Sequence, residues 1–428
     1  MKPLGVEKVL KGMVSLLFGT GIAKFISVLA IPFLTRIYTP EEYGVLAVFT
    51  ASVLMIVPLL SLRYVVAIAL PRTSGGALNL AALSLSLVAF FGVIFFLLML
   101  CGGGAIFKAL SMEALVPYWW LVCLAAICIG VYEIFSMLEL RKKNYKMVAY
   151  SQALQSLMGE AVKVSFGLLA VKPIGLLLGQ SVGYSVGAVL LIVRGSFGRQ
   201  DVKQIRFRRM LKLLLIFKEM ALFRTPSQFF LAYSIQAPLV FSSVLYSGSE
   251  VGQLSLALMA LALPIILLGQ SMSRAYYAEI ASIGARGKET VREITKAISL
   301  RLLLISLLPT ALLVFFGEFI FTLIFGGNWA LAGKVSSILA MYLIGQFVTS
   351  PLLEVFNLYG GQKVYLELYF FRAILVTAAY LASFLLGFNF LQSVICYTAL
   401  MFCYFAVVGL KILTVLYEQD SEIEGRGL

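Results

Sequence analysis

Twelve long apolar runs account for most of this chain, and the gaps between them alternate between basic and nearly charge-free. The runs are roughly 14–37, 43–62, 77–101, 117–140, 147–171, 173–193, 220–245, 253–273, 297–317, 335–357, 366–388 and 391–416. A helix needs about 20 apolar residues to cross a bilayer, so twelve crossings take about 240 residues. In a chain of 428 residues that leaves no room for a separate soluble domain. A water-soluble domain carries about 25% charged residues, whereas here the charged fraction is 13% and the hydrophobic fraction 61%.

The cations fix an orientation. Of the 34 Lys and Arg, 25 fall in or beside gaps on the side of both termini, four on the other side, and five deeper inside apolar runs. The basic side carries Arg63 and Arg72, Arg141 to Lys146, Arg194 to Lys218, and Arg274 to Lys296, while the opposite gaps hold Arg36, Lys108, Lys172 and Lys334. By the positive-inside rule both termini face the cytoplasm. The formal charge of +14 belongs to these anchors and does not indicate nucleic-acid binding. The first run is full length and lacks a small-residue cleavage site, which predicts an uncleaved first helix.

The basic stretch from Arg194 to Lys218 separates two sets of six runs. Pro32 and Pro58 bracket Tyr38 and Glu42-Tyr43-Gly44, while Pro238 and Pro264 bracket Tyr246 and Glu250-Val251-Gly252, both proline pairs being 26 residues apart. Six crossings return the chain to its starting side, so the halves are parallel repeats, with a cavity expected between them. The predicted fold is an all-α integral membrane protein of about twelve transmembrane helices in two six-helix lobes around a central cavity. Its parts are an N-terminal lobe (1–193), a basic cytoplasmic loop (194–219), a C-terminal lobe (220–416) and an acidic cytoplasmic tail (417–428).

The five cations inside the runs are Lys24, Lys163, Arg224, Arg301 and Arg372. A charge within a bilayer is costly and generally faces the bundle interior or water. At helical spacing Thr20, Lys24 and Ser27 share a face, as do Gln152, Gln155 and Lys163 with Glu160 at the edge, Arg224 and Gln228, and Gln346 and Ser350 with Glu354 at the flank. Arg301 and Arg372 lie near the cytoplasmic edge, where a long side chain can snorkel. Glu160 and Lys163 are spaced to neutralise each other. Lys24, near mid-span, has no acid nearby in sequence. We therefore expect Lys24, Lys163 and Arg224 to form a cationic substrate cavity suited to a phosphate or diphosphate. Arg63 and Arg274 are its candidate entrance, Thr20, Ser27, Gln152, Gln155, Gln228, Gln346 and Ser350 its polar lining, and Glu160 and Glu354 candidates for coupling to Na+ or H+.

Enzyme chemistry has little to work with. There is no histidine, and the two aspartates, Asp201 and Asp420, fall in cytoplasmic segments. The chain holds no DxD pair, P-loop, GxSxG or HExxH, and the five cysteines lie in or beside apolar runs without zinc-like spacing. Neither a catalytic residue, a bound metal nor a cofactor is expected.

Several segments resemble bacterial polysaccharide-export flippases of the multidrug/oligosaccharidyl-lipid/polysaccharide exporter superfamily, the O-antigen flippase type. They are Pro32 to Gly44, Leu62-Arg63-Tyr64 with Ala67 to Pro71, Leu140 to Lys146, Gly175 to Gln180, Thr225-Pro226-Ser227, Gln236-Ala237-Pro238, Val251-Gly252 through Leu256-Ala257, Phe325 to Trp329 with Ala332-Gly333, and Gln346-Phe347 before Ser350-Pro351. Together they span about residues 10–380. The resemblance implies alternating access and an undecaprenyl-diphosphate-linked oligosaccharide moved from the cytoplasmic to the outer leaflet for surface polysaccharide assembly. Membrane lipids and a polymerase or export machinery are the implied partners. Two positions depart from that pattern. Val65 stands where relatives often have an acid, and Arg224 stands before Thr225 where they are often uncharged, which makes Arg224 a candidate for substrate-specific contact. Two other readings fit the residues, a drug or metabolite cation antiporter of the same superfamily and a non-transporting envelope-assembly protein. An antiporter for cations would favour an acid, not Lys24, at mid-span.

Overall fold

Among the described residues the long apolar runs are helical, and no strand occurs. The structure is a computed structural model. It describes residues 4–195, 203–264, 269–284, 287–359 and 361–417, with side chains excepted at 4–20, 264, 270, 271, 274 and 362. The helices are α1 (Leu4–Ile37), α2 (Pro40–Leu60), α3 (Tyr64–Ala67), α4 (Ser74–Ala109), α5 (Trp119–Arg141), α6 (Tyr145–Leu168), α7 (Ile174–Arg194) and α8 (Phe207–Ile216). Then come α9 (Thr225–Leu245), α10 (Gly248–Pro264), α11 (Gln270–Ile283), α12 (Lys288–Phe325), α13 (Ala330–Leu352), α14 (Val355–Tyr359), α15 (Gly361–Leu386) and α16 (Phe390–Tyr417). Among the described residues twelve of these have 17 residues or more, one for each expected span, and nine are long and apolar enough to cross a membrane on length and composition alone.

Their outer faces need lipid. On α12 Leu308 is 69% and Phe315 77% exposed, and Phe90, Leu97 and Leu98 are similarly bare on α4. Apolar patches of that extent do not persist in water. Pro32, Pro58, Pro238, Pro309 and Pro351 lie inside helices, a placement transmembrane helices tolerate because neighbouring groups re-satisfy the freed carbonyls.

The chain divides into two compact units. The first is residues 1–255 with 324–329, and the second is 256–323 with 330–428. In the first, α6 packs on α1 and α7, α5 packs on α4 and α7, and α9 packs on α2. In the second, α16 packs on α13 and α15, and α11 on α13.

The repeat reappears as chemistry at two helix starts. Thr39 caps α2, its hydroxyl accepting from Glu42 N at 3.3 Å while Thr39 N donates to Glu42 Oε2 at 2.8 Å. Ser247 caps α10 in the same way, accepting from Glu250 N at 3.3 Å and donating from its own N to Glu250 Oε2 at 2.9 Å. Each reciprocal cap satisfies amides that would otherwise be orphaned. The two starts also meet. A methyl group on Gly44 would sit 2.2 Å from the Gly248 carbonyl oxygen, and one on Gly252 would sit 1.7 Å from that of Pro40. Only glycine fits either crossing, and the contacts are reciprocal, as a two-fold relation between the repeats requires.

Tyr38 pins the turn before α2. Its hydroxyl donates to the Lys163 carbonyl at 2.7 Å, and the Lys172 ammonium lies 5.3 Å from its ring centre. Gly167 and Gly175 leave room for the ring and the hydroxyl. Burial, with the Glu42 carboxylate adding, pushes the Tyr38 hydroxyl up to about 12, so it stays a donor at any physiological pH. On the same turn, Trp329 stacks edge-on to Tyr43 at 5.0 Å and donates from Nε1 to the Thr35 carbonyl at 2.9 Å.

Candidate functional site

The expected site residues fall into distinct settings, beginning with α1. Lys24 is exposed near the middle of this helix, and among the described residues it makes no ion pair. Ser27, one turn on, is half-buried. The side chain of Thr20 lies outside the described residues.

Lys163 is 6% exposed. Its ammonium donates to Glu160 Oε1 at 3.1 Å, one helical turn away on α6. The neighbouring helix leaves space for this pair, since a methyl on Gly179 of α7 would meet Lys163 Cγ at 2.4 Å. The second carboxylate oxygen of Glu160 is buried with no hydrogen-bond partner. Gln155 lies two turns before Lys163, its amide pressed against Gly187 of α7, and Gln152 is half-buried beside it. The sequence leaves Lys163 open between a substrate contact and a structural pair, and the observed geometry is that of the pair.

Arg224 closes a five-residue π-helical turn, Met220–Arg224, directly before α9. Such turns recur at functional positions in helices. The Arg224 and Gln228 side chains are half-buried, and Thr225 donates back to the Met220 carbonyl at 3.0 Å.

Arg63 sits where the chain leaves α2. Leu62 and Arg63 have φ of 44° and 55°, a left-handed stretch that costs non-glycine residues about 1–2 kcal/mol each. Arg63 Nη1 donates to both oxygens of Glu133 on α5 at 3.4 Å, tying the strained turn to that helix. Glu133 is an acid in the middle of an apolar run, the same signal as a cation there, and it is not among the expected site residues. The other expected entrance residue, Arg274, has its side chain outside the described residues.

In the second unit Glu354 accepts from Ser273 at 2.8 Å and from Asn357, so this carboxylate is held by neutral donors. Gln346 and Ser350, on α13, are half-buried. Arg372 corrects the expectation of snorkelling. It is 7% exposed, with its guanidinium 5.7 Å from the Tyr404 ring centre and 5.8 Å from that of Phe405. Tyr342 stacks on Phe405 and meets Tyr397 edge-on, completing an aromatic box. Ring faces attract a cation where water is absent, so Arg372 turns inward to α16 instead of reaching for the interface. Arg301 is exposed on α12. No group of three or more His, Cys, Asp or Glu could hold a metal among the described residues.

No family model matches the sequence, and no curated protein matches it. The fold does match solved structures. The inward-facing conformation of a multidrug resistance MATE family transporter of the MOP superfamily aligns with a TM-score of 0.69 at 18% identity, over 91% of this chain and 94% of that one. A MOP superfamily transporter from Pyrococcus furiosus, whose reversed binding-pocket polarity is described as suggesting a different function, aligns at 0.65 and 16% identity, over 98% of this chain and 100% of that one. An outward-facing conformation of a MATE family transporter aligns at 0.63 and 16%, with the same coverage. At such identities the likeness is one of fold. The all-α membrane fold of about twelve long helices expected from the sequence is therefore the one observed, and it is shared with these transporters.

Proposed function

We propose that this protein is a membrane transporter that moves an amphiphilic cargo by alternating access. The observation that supports this is the match of at least nine-tenths of the chain to MATE-type transporters, joined to lipid-facing helices along its length. On cargo, the solved structures taken alone favour the drug or metabolite antiporter, because multidrug resistance transporters are among them. The sequence resemblance over residues 10–380 and one charge favour a different cargo, an undecaprenyl-diphosphate-linked oligosaccharide flipped to the outer leaflet of the inner membrane. That charge is Lys24, which is exposed at mid-helix and without an ion pair among the described residues. A cation there attracts a diphosphate and repels a cationic drug. The Pyrococcus furiosus transporter illustrates that pocket polarity varies on this fold.

The sugar-diphosphate headgroup cannot cross hydrocarbon unaided. Fixed cations and hydroxyls replace its water while the polyprenyl tail stays in lipid. Arg63 and Arg224 add positive charge along that route. Glu160, with one buried oxygen unbonded, is the carboxylate best suited to take a proton or Na+ in exchange, and Glu354 is the second.

The deciding experiment compares Lys24→Glu with wild type in two assays on reconstituted vesicles. One follows outward movement of a lipid-linked oligosaccharide and the other efflux of a cationic dye. The flippase reading expects wild type to move the lipid and the variant to lose at least tenfold, with equal protein folded. Dye efflux by wild type, kept or raised in the variant and without lipid movement, would establish the antiporter.

A further inference from the structure

Arg63 and Glu133 hold each other less tightly than either group allows. Charge-assisted contacts between arginine and a carboxylate close to about 2.7–2.9 Å and commonly use two parallel donors. Here Nη1 reaches across both oxygens of Glu133 at 3.4 Å. The Arg63 Nε is buried without a hydrogen-bond partner, and the guanidinium makes no other hydrogen bond or ion pair among the described residues. Arg141, at the end of the same helix α5, is the contrast. Its Nη1 donates to the carbonyls of Ile68 and Ala69 and its Nη2 to those of Pro71 and Thr73, so its donors are used up in holding a loop.

The backbone beneath Arg63 is fixed even though its side chain is loosely held. Tyr64, the next residue, is buried and donates to the Leu214 carbonyl at 2.8 Å, and its amide donates to the Ser61 carbonyl at 3.1 Å. Leu62 and Arg63 keep their left-handed φ values between these anchors. Such outliers gather at switches and ligand clamps, where the surroundings impose them. The pair is also within reach of a solute, the Arg63 side chain being 17% and that of Glu133 32% exposed. A fixed backbone, a long contact and an unused Nε edge together describe a guanidinium able to exchange one anion for another.

We propose that Glu133 is a built-in competitor for Arg63 and so sets how tightly an anionic headgroup is held. The inference rests on the cargo reading above, in which Arg63 lies along the route of a diphosphate. A phosphate oxygen accepts from the Nε edge that Glu133 leaves open, and the long Nη1 contact gives way. Glu133 then faces the phosphate as a like charge, and the repulsion is stronger in a half-buried place than in bulk water. Its return to Arg63 helps the headgroup leave. Glu133 is thus a positioning residue that acts through Arg63, keeping the hold weak enough for release.

The test uses the purified full-length chain in detergent, immobilised for surface plasmon resonance, with geranyl diphosphate as the probe and geraniol as its uncharged control. Wild type is expected to bind the diphosphate in preference to geraniol. Glu133→Gln should bind it about tenfold more tightly, with the gain in a slower dissociation rate. A merely structural role for Glu133 would weaken the probe or leave it unchanged. Glu133→Asp keeps the charge but shortens its reach by one methylene, so it should tighten binding by a smaller factor, and it serves where the glutamine variant folds poorly. Arg63→Gln/Glu133→Gln should lose the gain. Binding by Glu133→Gln no tighter than wild type, a Glu133→Asp variant identical to wild type, or a gain kept in the double variant would each overturn the proposal. Loss of the probe in Lys24→Glu beside an unchanged Glu133→Gln leaves the cargo reading standing and sinks this one. Tighter binding in Glu133→Gln beside an unchanged Lys24→Glu upholds this one and counts against the role given to Lys24.

Discussion

Lys163 carries the sharpest lesson at the scale of single residues. Removing its charge alone strands the Glu160 carboxylate in a buried place, which costs about 3–5 kcal/mol, whereas replacing both partners with apolar or neutral groups is often close to neutral. Lys163→Met should therefore lower the midpoint of thermal unfolding in detergent steeply, and Glu160→Gln/Lys163→Met should recover most of it. If the double variant is stable and still transports, Lys163 serves the fold. If it is stable and inert, the pair takes part in the cycle. Arg372 makes the complementary case. Its charge is stabilised by ring faces from α16, so Tyr404→Leu/Phe405→Leu should destabilise beyond the loss of apolar packing, by about 1–2 kcal/mol. An Arg372→Met background should remove that excess in a double-mutant cycle. The existence of the buried charges is readable from the sequence, but their partners are not. Glu160 is legible because it is one turn away, while Tyr404 and Phe405 lie on another helix and nothing in the spacing of α15 announces them.

Among elements, the crossing of α2 and α10 is decided by two missing side chains. Gly44→Ala would drive a methyl into the backbone of residue 248, and backbone cannot step aside as a flexible side chain can. Overpacking of this kind costs about 1–3 kcal/mol. Gly248→Ala meets nothing within 4 Å and should be neutral apart from helix propensity. Comparing the folded fraction of the two variants by size-exclusion checks the crossing, and equal behaviour would argue against it. The helices themselves are read from the sequence, with some ends up to about ten residues off, because long apolar runs leave little choice in a membrane. The proline and Glu-x-Gly spacings also reveal the repeat. What spacing does not reveal is that α4 and α12 run on to 36 and 38 residues, since polar residues at a helix end look like loop. The docking of Trp329 onto Thr35 and Tyr43 is equally silent, because residues nearly 300 positions apart share no local pattern.

For the whole molecule the basic loops predict a sidedness that can be measured directly. The positions to use are Lys203 in the basic stretch and Thr39 before α2, both exposed. With the five native cysteines replaced, a single cysteine at Lys203 should react with a membrane-impermeant maleimide in inverted vesicles alone. One at Thr39 should react in intact cells alone. Labelling of both from the same side would overturn the orientation.

The paired crossing of Gly44 and Gly252 also says something about origin. Each half offers the other the same joint, so a gene for a single half would already have encoded both faces of the contact and could have paired with its own copy. Fusion of two such copies relaxes that symmetry. In this chain the symmetry is broken elsewhere, for the first half buries Glu160 with Lys163 while the second wraps Arg372 in aromatic rings.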